Sequence, residues 1–132
     1  MYKKNAVFVS VCMTAFLLLF GCQEKAAEEE APAMIDVQVN ISPEAPKVDE
    51  PIIFDVTVTQ GDEKVTDASS VEFEFGKKDG SDSEKITVKH KKDGVYSLEK
   101  SFDSEGEYYI IPHVTARDMH AMPKQEFSVV AN

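Results

Sequence analysis

The chain has 132 residues, with 14 Lys and Arg against 24 Asp and Glu, for a net charge of −10. That length holds one domain and a leader, and the acidic balance excludes nucleic acid as a partner, because phosphate contacts need clustered Lys and Arg. Two cysteines and no tryptophan exclude an antibody-type core and a disulfide framework.

Lys3 and Lys4 open the chain, followed by an apolar run from Ala6 to Phe20 and then Gly21-Cys22. The run falls short of the roughly 20 apolar residues of a membrane span and suits a signal-peptide core behind a basic start. Leu19-Phe20-Gly21-Cys22 resembles the lipobox of bacterial lipoproteins. That resemblance implies removal of residues 1–21 and lipidation of Cys22, which becomes the mature N-terminus. Several acyl chains on one cysteine give lasting attachment to a membrane, where a single chain gives only marginal binding. The leader takes Lys3, Lys4 and Cys12 with it and no acid, so the mature chain carries 12 basic against 24 acidic side chains. With Cys22 lipidated no thiol is left, which excludes thiolate catalysis and cysteine-based zinc sites.

Residues 23–33 are acidic and low in complexity and read as a solvated tether on the lipidated cysteine, so that 22–33 form the anchor segment. Residues 34–132 form one domain in which alternation dominates. Ile35, Val37, Val39 and Ile41 alternate with Asp36, Gln38 and Asn40, and Phe54, Val56 and Val58 with Asp55 and Thr57. The pattern returns in residues 71–75, 86–88, 96–98, 108 to about 115, and 127–129. Turn signals separate these runs at Pro43 to Pro51, Gly61-Asp62, Gly76 to Ser83, Asp93-Gly94 and Glu105-Gly106. About seven short strands with no helical period predict an all-β, immunoglobulin-like (cupredoxin-like) antiparallel sandwich. In Glu105-Gly106-Glu107-Tyr108-Tyr109 a tyrosine is placed to pin the corner before a late strand.

The chemistry gathers in His113-Val114-Thr115-Ala116-Arg117-Asp118-Met119-His120-Ala121-Met122-Pro123, which holds two of the three histidines and two of the five methionines. Imidazole with thioether is a copper donor set, above all for Cu(I). On a regular strand His113 shares a face with Tyr109, Ile111 and Thr115, and Pro112 suggests an edge or a bulge. In an extended segment His120 and Met122 project to the same side, and Met119 joins them only if the chain turns there. Met119 and Met122 read as lying in a loop, since Arg117, Asp118 and Pro123 surround them. His90 follows Ile86 and Val88 on one face of its strand and becomes a third imidazole if the strand ends meet. Against these stand ordinary uses: a hydrogen-bonded histidine, and methionines that plug the end of the sandwich. Glu72 and Glu74 read as a solvent face, and the acidic loop from Asp79 to Glu84 as a solvated hairpin lacking EF-hand spacing.

The lipobox, the Asp93-Gly94-Val95-Tyr96 turn and the stretch from His113 to Pro123 together resemble the YtkA-like lipoproteins of Gram-positive bacteria. The resemblance covers essentially the whole mature domain and implies an immunoglobulin-like fold. His120-Ala121-Met122 is also similar to the His-x-Met element of periplasmic copper chaperones that supply cytochrome oxidase. That similarity implies His120 and Met122 as ligands, with His113, Met119 and His90 as further donors, although the upstream part of the chaperone motif is not reproduced. The expectation is a non-enzymatic copper-binding lipoprotein on the extracytoplasmic face of the cell membrane, buffering copper or delivering it to a membrane cuproenzyme such as cytochrome oxidase. The competing expectation is a metal-free module that docks onto an envelope protein. No nucleophile, base and orienting group fall at catalytic spacing.

Overall fold

Strand β2 (Ile52–Gln60) shows how the pattern becomes structure: Ile52, Phe54, Val56 and Val58 are buried while the residues between them reach outward. The computed structural model describes residues 31–132, so the signal-peptide run and Cys22 lie outside the described residues. Ten strands follow in order: β1 (Ile35–Ser42), β2, β3 (Glu63–Lys64), β4 (Ser70–Lys77), β5 (Glu84–Thr87), β6 (His90–Lys92), β7 (Val95–Lys100), β8 (Gly106–Ala116), β9 (Met119–Ala121) and β10 (Gln125–Val129). They make two antiparallel sheets, β1-β2-β7-β6 with β3 on β2, and β10-β8-β4-β5 with β9 on β8. The architecture is the expected all-β, immunoglobulin-like sandwich. Its strands exceed the predicted seven by β3, β6 and β9, each too short to show an alternating pattern in sequence. Among the described residues no helix is long and apolar enough to cross a membrane.

The sheets meet through an aromatic core. Phe54 of β2 packs edge-on against Phe75 of β4, at 4.8 Å between centroids, and against Phe127 of β10 at 5.3 Å. Phe102 and Tyr108 extend the cluster at 4.6 Å. Such pairs add about 0.5–1.5 kcal/mol beyond the area they bury. Among the described residues the core draws on Ile35 to Val129, within the compact unit Pro32–Asn132, a size at which a domain holds a core of its own. The corner tyrosine is where the sequence put it: the Tyr108 hydroxyl donates to the Ser104 carbonyl at 2.8 Å, four residues upstream.

Two local readings are corrected. The run through Ile86, Val88 and His90 is not one strand, because β5 ends at Thr87 in one sheet and β6 begins at His90 in the other. Buried Val88 forms the crossing, its N–H bonded to the Val71 carbonyl. Pro112 does not lie on an edge strand, since β8 has partners on both sides along its length, but the flank it faces is locally open. The Thr115 and Glu107 carbonyls accept from Ser69 and Lys78, so odd-numbered residues of β8 turn their peptide groups toward β4. Pro112 therefore turns its missing donor toward the other side. There β10 pairs only as far as Ile110 and β9 only from Val114, so no ladder bond is lost.

Candidate metal centre

Strand β8 runs into β9 through a two-residue turn, Arg117-Asp118, with Ala116 opposite Met119, Thr115 opposite His120 and Val114 opposite Ala121. Both turn residues have positive φ, 52° and 62°, as a tight hairpin of this hand requires. Arg117 lacks the usual freedom for that conformation, and its side chain is tied down instead. It donates to Gln60 at 2.8 Å and Glu63 at 2.9 Å, and lies 3.5 Å from Asp67. These partners come from β2, β3 and the segment after β3, so the clamp spans the two sheets. Glu63 is held below the usual carboxylate range, first by the Arg117 hydrogen bond and then by its charge. The predicted loop is thus a paired strand, and an Arg-Asp turn gives no recognisable hairpin signal in sequence.

Pairing fixes which way each donor points. Met119 and Ala121 pack against the hydrophobic core, whereas His120 is exposed and Met122 is 52 % exposed. His113 stands on the outer face with Tyr109, Ile111 and Thr115, as alternation predicts, while Ile110, Pro112 and Val114 face inward. The β8–β9 ladder ends at Val114 opposite Ala121, and the exposed Met122 follows directly after it. On the other flank β4 sets Glu72 opposite His113. A cross-strand pair of Glu72 and His113 thus lies on the outer face, with Glu74 next along β4 on the same side and His120 opposite Thr115 on β9.

The two imidazoles lie 6.1 Å apart, centroid to centroid, inclined by 40°. Two imidazoles sharing one ion, each nitrogen about 2 Å from it, have centroids roughly 5–6.5 Å apart, so the pair has the right separation. Each ring is held on one side. His113 Nε2 lies 3.3 Å from Glu74 Oε1, and His120 Nδ1 lies 3.0 Å from Thr115 Oγ1. Glu74 also lies 4.0 Å from Lys85. The hydroxyl of Tyr109 is pushed up by burial and then by the Glu74 charge, and Lys124 stands 4.7 Å over the Tyr109 ring. Glu74 is therefore engaged with its neighbours, where the sequence suggested a plain solvent face.

Not every expected donor comes to this face. His90 sits on β6 in the other sheet, where its Nε2 accepts the Gly94 N–H at 3.0 Å and its ring meets Tyr96 edge-on. Met119 points into the core side of its hairpin. Among the described residues no three His, Cys, Asp or Glu side chains cluster as a metal site on their own. Beside the carboxylates of Glu72 and Glu74, this face offers two imidazoles, and the exposed Met122 adds a thioether next to the hairpin. A cavity of about 440 Å³ lies elsewhere, lined by Phe75, Phe102 and Tyr108, and its cations Lys77 and Lys100 are paired with Asp82 and Glu84.

The family model described as YtkA-like matches residues 30–113. The match takes in β1 to β7 and β8 as far as His113, leaving the β9 hairpin beyond it. No curated protein matches the sequence.

Proposed function

The chain belongs to the YtkA-like family, and we propose that this member is a non-enzymatic, lipid-anchored extracytoplasmic protein that binds copper, Cu(I) before Cu(II). It buffers the metal or passes it to a membrane cuproenzyme such as cytochrome oxidase. One observation carries the reading: His113 and His120 stand 6.1 Å apart on the outer sheet face, with the exposed Met122 two residues beyond His120. Two imidazoles and a thioether without a thiolate favour Cu(I) over Zn(II), and a site open on one face suits transfer to an acceptor. The lipidation of Cys22 rests on the lipobox resemblance and supplies the anchor.

A competition titration of the chain from Gln23 onward with a chromogenic Cu(I) chelator tests it. One equivalent of Cu(I) should bind, with zinc weaker, and replacing His120 and Met122 together by Ala should abolish binding while the domain stays folded. Unchanged affinity in that double variant sinks the site.

A second reading has an observation in its favour, the half-exposed Met122 beside the hairpin. A metal-free module could use this adaptable apolar tip to dock onto an envelope protein. Met122→Leu separates the two, because leucine keeps apolar contact and cannot ligate.

A further inference from the structure

A bound metal needs one lone pair from each imidazole, and the fold has already committed one nitrogen of each ring. Glu74, projecting from β4, meets His113 at Nε2. A carboxylate only accepts at that distance, so Nε2 carries the proton and Nδ1 keeps its lone pair. Thr115, directly opposite His120 in the hairpin register, meets it at Nδ1. With that nitrogen turned to the hydroxyl, Nε2 is the one left for an ion.

We propose that the metal is taken by Nδ1 of His113 and Nε2 of His120, and that Glu74 and Thr115 are the positioning residues that fix this choice. The assignment rests on the copper reading above and adds to it which atoms bind and why the two rings bind through different nitrogens. Glu74 suits the task because it is not free to swing away. Its side chain is only 20 % exposed and also faces Lys85 and the Tyr109 hydroxyl. An outer partner of this kind fixes the tautomer and raises the basicity of the ring it holds.

The test is long-range proton–nitrogen correlation spectroscopy on the ¹⁵N-histidine-labelled chain from Gln23, first without metal and then with one equivalent of Cu(I), which is diamagnetic. Without metal His113 should show the Nε2–H tautomer. With Cu(I) the metal-induced shifts should fall on His113 Nδ1 and His120 Nε2, while His90, whose Nε2 is occupied by Gly94, keeps its metal-free pattern. Glu74→Ala should weaken Cu(I) binding by about 10- to 100-fold, and Glu74→Gln, which retains an acceptor oxygen, should recover most of it. Shifts on His113 Nε2 in a protein that does bind Cu(I) overturn the assignment and leave the copper reading standing. Undiminished affinity in Glu74→Ala overturns the role of Glu74. A wild-type chain that takes up no Cu(I) overturns the copper reading itself and the assignment with it.

Discussion

Gly76 of β4 lies directly beneath the phenol of Tyr109 on β8, so closely that a methyl group on Gly76 would stand 2.6 Å from the Tyr109 hydroxyl oxygen. No L side chain other than glycine's hydrogen leaves room for that ring. The glycine is therefore what lets Tyr109 lie flat on the outer face, the face that also carries Glu74 and His113. Gly76→Ala should cost about 1–3 kcal/mol in denaturant unfolding, the usual range for overpacking. In a Tyr109→Ala background the same change should cost markedly less. Equal costs in both backgrounds rule out a Tyr109 contact as the reason for the glycine.

The two methionines of the hairpin should separate cleanly. Met119 faces the core, so Met119→Leu should cost less than about 1.5 kcal/mol and leave Cu(I) affinity as it is. Met122 is half exposed, so Met122→Leu should leave stability within about 0.5 kcal/mol and weaken Cu(I) by about tenfold or more. Chelator competition and urea melts on both variants measure the crossed pattern; a larger copper effect at Met119 would contradict the facing seen here.

Arg117 makes the acid sensitivity of the domain predictable in sign. Glu63 has its folded value lowered from 4.5 by the Arg117 hydrogen bond and charge. A lowered carboxylate stabilises the fold above its unfolded value, and that contribution fades as pH falls through the lowered one. Arg117→Ala should therefore lower the melting temperature at neutral pH, with a gap to wild type that narrows below pH 4.5. A gap that is constant or widens in acid would refute the clamp as the source.

Tyr96 bridges β7 to the segment after β3, its hydroxyl donating to the Val65 carbonyl at 3.2 Å and accepting the Ala68 N–H at 3.2 Å. Tyr96 is 3 % exposed, and Tyr96→Phe leaves the buried Val65 carbonyl and the partly buried Ala68 N–H without this partner. The expected loss is about 1–3 kcal/mol, readable from the urea midpoint at unchanged slope. A loss below the measurement error would mean that water reaches both groups in the variant.

Alternation alone determined the fold class and one face of the site. A period of two assigns every residue of a long strand to one side, which is why Tyr109, Ile111, His113 and Thr115 share the outer face while Val114 is buried. The corner Tyr108 and the Asp93-Gly94 turn, whose two residues both take positive φ, were equally legible because their chemistry is local. The tertiary structure decided what local pattern cannot carry. His90 left the face of Ile86 and Val88 because the chain changes sheets at Val88, and Met119 turned inward because the hairpin pairs it with buried Ala116. Glu74 came to His113 from 39 residues away through the β4–β8 register. Strand neighbours are set by long-range pairing of whole apolar faces, and no spacing within the eleven residues from His113 to Pro123 encodes which carboxylate will stand beside them.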